Sequence, residues 1–145
     1  MSDEIEMARQ WLAKARNDLL SADNDLKAEE TPFDAVCFHS QQAAEKLLKA
    51  YLVAKGKPYP RSHDLLLILE RILPIRPDAE RLRDALGILV PYAIEVRYPD
   101  VADMPSEQDA REARAAAEEV LKWLRNTLAE VFQASRTGDG ASRSY

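Results

Sequence analysis

"CFHSQQAAEKLLKAYLVAKG", residues 37–56, decides the fold, because it joins an apolar helical arc to an unusual set of side chains on the opposite side. At about 100° per residue, its apolar positions predict a core-facing helix that ends at Gly56. The arc comprises Phe33, Val36, Cys37, Ser40, Ala44, Leu47, Leu48 and Tyr51. Since Cys37 falls inside the arc, we expect a packed, inert thiol rather than a nucleophile.

The opposite side of this helix is not an ordinary solvated face. It carries Phe38, Gln42, Glu45 and Lys49, with His39 and Lys46 beside them. A large aromatic residue on a polar face suggests a covering protein surface, so we predict a dimer interface at Phe38, Gln42 and Glu45. The alternative is a Phe38 half-covered by a neighbouring loop of the same chain. His39 is either a hydrogen-bonded structural group or a ligand contact.

Helical spacing of apolar residues continues through the rest of the chain, and no stretch alternates as a strand does. We expect helices at about 3–29, 32–55, 63–73, 82–96 and 107–133. The pattern predicts an all-α, up-and-down bundle of about five helices, three long and two shorter. One domain, residues 1–133, would precede a disordered tail at 134–145, which lacks apolar periodicity.

Polar residues and prolines mark the expected helix ends. Thr31 and Ser62 are candidate N-caps for the second and third helices. Ser106 and Asp109 are spaced as a capping box at the start of the last helix. Pro91 predicts a kink in the fourth helix.

Composition excludes several classes of protein. The single cysteine rules out an internal disulfide and fits a reducing compartment, so we expect a cytoplasmic protein. The N-terminal residues do not resemble a signal peptide, and no apolar run reaches the ~20 residues that span a bilayer. Residue 43 is Ala, so His39 lacks an (i, i+4) zinc partner, and no Gly-rich phosphate loop is present. We therefore expect neither a metal nor a cofactor.

Charge is unevenly distributed along the chain, whose formal net charge is −5. Residues 1–30 contain eight acids and four bases, whereas residues 39–71 contain six bases and three acids. An anionic ligand would prefer the second region, although ordinary surface charge gives the same count.

"RYPD", residues 97–100, has a structural and a functional interpretation. Structurally, Arg97 would bond the last carbonyls of the fourth helix and Asp100 would begin a turn. Functionally, Arg97 would be a fork for phosphate and Tyr98 a flat surface for a base. His39, Lys46 and Lys49 could then contribute to the same ligand site if the second and fourth helices lie side by side.

Four segments together resemble the HEPN family (higher eukaryotes and prokaryotes nucleotide-binding). They are "WLAKARNDLLSA" at 11–22, "CFHSQQAAEKLLKAYL" at 37–52, "RSHDLLLIL" at 61–69 and "RYPD", and the likeness covers about residues 5–130. The resemblance implies a dimerising bundle with nucleotide or RNA in a groove. It also implies pairing with a minimal nucleotidyltransferase, in an arrangement like a toxin–antitoxin system.

Ribonucleases of this family carry an Arg followed, after four to six residues, by a His. Here no His follows Arg97 anywhere in the chain. The leading hypothesis is therefore a homodimeric, non-catalytic or weakly catalytic nucleotide-binding subunit. The alternatives are a metal-independent ribonuclease toxin, using Arg97 with a displaced proton-transfer group such as His63 or His39, and a helical adaptor with no small ligand.

Overall fold

Three long helices form the body of the protein. The computed structural model describes residues 3–94 and 104–133. Its α-helices are α1 (Asp3–Leu26), α2 (Phe33–Ala54), α3 (Leu65–Ile72), α4 (Arg83–Leu89), α5 (Glu107–Thr127) and α6 (Ala129–Phe132). Two 3₁₀ helices, Pro77–Leu82 and Val90–Tyr92, flank α4, and the described part of the chain contains no strand. The predicted all-α bundle with three long helices is confirmed, and the described residues contain three shorter α-helices where two were expected.

α2 is the central helix of the bundle, and it packs most extensively against α1 and then against α5. Every member of its predicted apolar arc is buried except Phe33, which is half-buried. α1 supplies the facing side of the core through buried small and large residues. These are Ala8, Leu12, Ala15, Leu19 and Ala22. The small residues allow the two helix backbones to approach closely.

α5 is tied to α1 by a partly buried ion pair that the sequence analysis did not foresee. Arg114 donates two hydrogen bonds to Asp23, at 2.7 and 3.2 Å, and a third to Glu118 at 3.0 Å. Burial alone would lower the pKa of Arg114, but these carboxylates outweigh it and raise the pKa. The guanidinium therefore stays charged and fixes how α5 lies on α1.

The helix ends correct two predicted caps and confirm a third. The residue before α2 is Pro32, while the Thr31 hydroxyl donates to the carbonyl of Ala28 and closes the preceding turn. Asp64, not Ser62, caps α3 by accepting from the amide of Leu66 at 3.0 Å. The capping box formed by Ser106 and Asp109 is present at α5.

The last predicted helix is broken, and the fourth is shorter than expected. Leu128, with φ −145° and ψ 54°, ends α5 and turns the chain into α6. After the break, the ring of Phe132 lies near two guanidinium groups, with its centroid 5.7 Å from that of Arg16 and 5.2 Å from that of Arg125. At Pro91 the fourth helix changes from α to 3₁₀ geometry, as its missing N–H favours.

Candidate functional site

The polar side of α2 is largely covered by its own chain. Glu45 and Lys49 are only 4% and 7% exposed, so their expected outward position is wrong. The cover comes from Trp11 of α1 and from the α2–α3 loop (residues 55–64), which contacts the helix through Tyr59 and His63. Glu45 thus has little surface left for the predicted dimer contact, and Lys49 little for a ligand.

Glu45 is the centre of the first polar cluster. Its carboxylate accepts from the ammonium of Lys49 at 2.9 Å and contacts Nδ1 of His63 at 2.9 Å. Because a carboxylate accepts, Nδ1 of His63 carries the proton and Nε2 faces away from Glu45. Gln41 donates from Nε2 to the same carboxylate at 3.4 Å and to the carbonyl oxygen of His63 at 3.1 Å. The cluster fixes the end of the loop on α2.

An aromatic pair completes this cluster. The rings of Trp11 and Tyr59 meet edge to face, with centroids 5.5 Å apart. The Lys49 ammonium lies 5.7 Å from the Trp11 centroid and 5.3 Å from that of Tyr59. Lys49 is therefore held by a carboxylate and by two π systems at once. Its main visible role is to hold the loop against α1 and α2.

Asp18 of α1 is the centre of a second cluster. It contacts Nδ1 of His39 at 2.9 Å and accepts a hydrogen bond from Lys46. His39 and Lys46 are seven residues apart, so they lie on the same side of α2 and share this carboxylate. Their side chains remain 30% and 22% exposed, so this cluster reaches the surface beside α2. Among the predicted ligand contacts that lie within residues 3–94, these two stay accessible.

Phe38 and Gln42 lie on the same face of α2 and are only partly covered. Phe38 is half-buried, with its ring 5.5 Å from the imidazole of His39. Gln42 is also half-buried and donates to the side chain of Gln41 at 2.7 Å. Their predicted place in a dimer interface stays a prediction. The other predicted ligand contacts, Arg97, Tyr98 and Asp100, lie outside the described residues.

His63, the candidate proton-transfer group, is pinned but open to solvent. Its side chain is 65% exposed, while its partner Glu45 is buried. Cys37, by contrast, is buried, and burial raises the pKa of its thiol to about 11 against a smaller opposing effect of Tyr92. The predicted packed position of Cys37 in the core is confirmed.

Four residues of these clusters were not predicted from the sequence: Asp18, Gln41, Trp11 and Tyr59. Asp18 lies beside the apolar seam of α1, three residues after Ala15 and four before Ala22, and this position was the one sequence signal for it. Within residues 3–94 and 104–133, no group of three potential metal ligands converges. In the same two segments, no helix has the length and apolarity needed to cross a membrane.

Comparisons with known proteins give one result. A family model described as HEPN domain matches residues 8–127. The match runs from the first turns of α1 to the last residue of α5, and it therefore contains both polar clusters. Comparisons with curated proteins and with solved structures give no match.

Proposed function

The chain belongs to the HEPN domain family, and from that premise we propose that it is a homodimeric nucleotide-binding subunit working with a minimal nucleotidyltransferase. Membership indicates a nucleotide- or RNA-related function in general. The finer proposal is a cytoplasmic two-component system of the toxin–antitoxin kind. The observation that carries it is the family match across every helix that positions the two polar clusters.

The proposed ligand site lies at the open, Asp18-centred end of the α2 face. His39 and Lys46 are partly exposed there and are oriented by one buried carboxylate. We assign phosphate binding to Arg97, with Tyr98 as a stacking surface and Asp100 beside them, in the same copy or in a second one. Lys49 is left out of this site, because Glu45, Trp11 and Tyr59 already occupy it.

Calorimetric titration with AMP, ATP and a short RNA tests this site. We expect at least one of them to bind, with affinity weaker by about 10- to 150-fold in Arg97→Ala, because a charge-assisted contact is worth about 1.5–3 kcal/mol. A Lys122→Gln variant, altered at an exposed site on α5, serves as the control. Silence from all three ligands would reject the proposal.

An RNA cleavage assay on the same variants distinguishes the ribonuclease alternative from simple binding. The contact of His63 with the buried carboxylate of Glu45 favours this alternative. Cleavage of the RNA in the presence of chelator, lost in both Arg97→Ala and His63→Ala, would replace binding by catalysis as the function.

The proposed dimer places Phe38 and Gln42 against a second copy. We expect light scattering to give about twice the chain mass of 16.4 kDa at micromolar concentration, since a half-buried aromatic on a polar face favours a covering surface. Phe38→Glu should shift the protein to monomer. The control is Ile88→Glu on α4, which places the same charge at an exposed apolar position. A wild-type monomer, or equal dissociation by the control, would contradict the interface.

A further inference from the structure

The α2–α3 loop carries two cationic side chains and one aromatic side chain at alternate positions. Lys57, Tyr59 and Arg61 are separated by Pro58 and Pro60, and all three are exposed. Proline fixes its own φ near −65° and disfavours helical geometry in the residue before it. The segment is therefore held extended, and it presents an aromatic ring between two cations with few alternative conformations.

The loop is anchored from below by buried polar groups. Tyr59 packs on Trp11 and Lys49, and His63 is bonded to Glu45. A buried ion pair is often no more stabilising than apolar side chains of the same volume. In this protein the buried pair of Glu45 and Lys49, together with His63, fixes the α2–α3 loop on the surface. A loop fixed in advance loses less conformational entropy when it binds a partner.

The loop also lies in a stretch of one charge. No acidic residue occurs between Glu45 and Asp64. Glu45 is buried, and Asp64 caps α3. Tyr59 retains 36% of its surface within this cation-rich stretch, and a carboxylate near the start of the loop is that of Glu4, beside Gly56. On the α1 side, Lys14 adds a further cation, 5.9 Å from the centroid of Trp11.

We propose that this surface, defined by Lys57, Tyr59 and Arg61, binds single-stranded nucleic acid. A base stacks on Tyr59, while the neighbouring phosphates contact Lys57 and Arg61. The inference rests on the proposed function and deepens it: the ligand is a strand, and the contact surface is separate from Arg97. An acidic peptide would satisfy the cations but offers no succession of flat faces to the ring.

Fluorescence anisotropy with a labelled single strand of about twelve nucleotides tests the surface. Tyr59→Leu should weaken binding roughly ten-fold or more, since stacking on an aromatic side chain makes a large contribution per base. Tyr59→Phe keeps the ring and should bind within about two-fold of wild type. Lys57→Gln with Arg61→Gln should make the plot of log K against log salt shallower by about 1.4, or 0.7 per phosphate. Lys122→Gln should change neither quantity.

Three results would overturn the inference. The first is unchanged affinity in Tyr59→Leu, with folding verified by circular dichroism. The second is an equal loss of affinity in Lys122→Gln. The third is full displacement of the strand by poly-glutamate at equal charge concentration, which would assign the surface to an acidic protein instead. Retained AMP or ATP binding in calorimetry would then leave the proposed function standing, whereas loss of both kinds of ligand would end the two proposals together.

Discussion

Glu45→Ala is expected to destabilise the protein by about 3–5 kcal/mol, the usual cost of removing one partner from a buried ion pair. The carboxylate is the shared acceptor of Lys49, His63 and Gln41. Without it, an ammonium whose side chain is only 9% exposed stays buried with two aromatic rings and no counter-charge. Urea denaturation should show the loss as a lower midpoint at unchanged slope.

Two further variants serve as controls for this prediction. Glu107→Ala removes the acid of an exposed (i, i+4) pair with Arg111, whose side chains are 62% and 60% exposed. It should cost no more than about 0.5 kcal/mol. Glu45→Leu combined with Lys49→Leu removes both buried charges and should be less damaging than Glu45→Ala alone. Equal losses in Glu45→Ala and Glu107→Ala would show that water reaches the Glu45 cluster.

Glu45→Ala should also affect nucleic-acid binding by the α2–α3 loop. Loss of Glu45 frees His63, so the loop keeps only the contacts of Tyr59 and the bond from Gln41 to the His63 carbonyl. We expect weaker strand binding even where the variant remains folded, because the ring and its flanking cations lose their fixed position. Calorimetry at the Arg97 site would be less affected. The two ligand surfaces can thereby be separated by one substitution.

The core of the bundle was predictable from sequence because it depends on local periodicity. The apolar arc of α2 and the seam of α1 each follow helical spacing, and a helix buries such a stripe wherever a partner exists. The burial of Ser40 on the α2 arc shows how strongly position along the helix determines burial. Helix ends were less predictable, since Thr31 and Asp64 each had a plausible alternative role at the same boundary.

The polar clusters were not predictable, because each joins residues that are distant in the chain. The sequence pattern of α2 alone predicts a solvent-exposed Lys49, and the residue is buried because Trp11 and Tyr59 pack against it. Spacing on one helix gave the pairing of His39 with Lys46 but could not supply Asp18 from another helix. The break at Leu128 also depends on tertiary contacts, since the apolar spacing continues through Val131.

Trp123→Ala is expected to cost about 3–5 kcal/mol, because it deletes the largest fully buried side chain between α2 and α5. Its ring lies 4.9 Å from that of Tyr51, so the substitution leaves a cavity at the contact of these two helices. Rigid packing on both sides limits how far the site can collapse. The midpoint of thermal unfolding should fall by roughly 10 °C, and circular dichroism measures it without relying on the deleted indole.

Trp123→Phe separates lost volume from lost polarity. The indole N–H of Trp123 is buried and has no hydrogen-bond partner among the described residues, so it contributes a desolvation cost in the wild type. Phe removes that group and keeps an aromatic ring against Tyr51, so the net loss should stay below about 2 kcal/mol. A loss as large as that of Trp123→Ala would mean that the N–H is bonded in solution, and the packing argument would then have to include that bond.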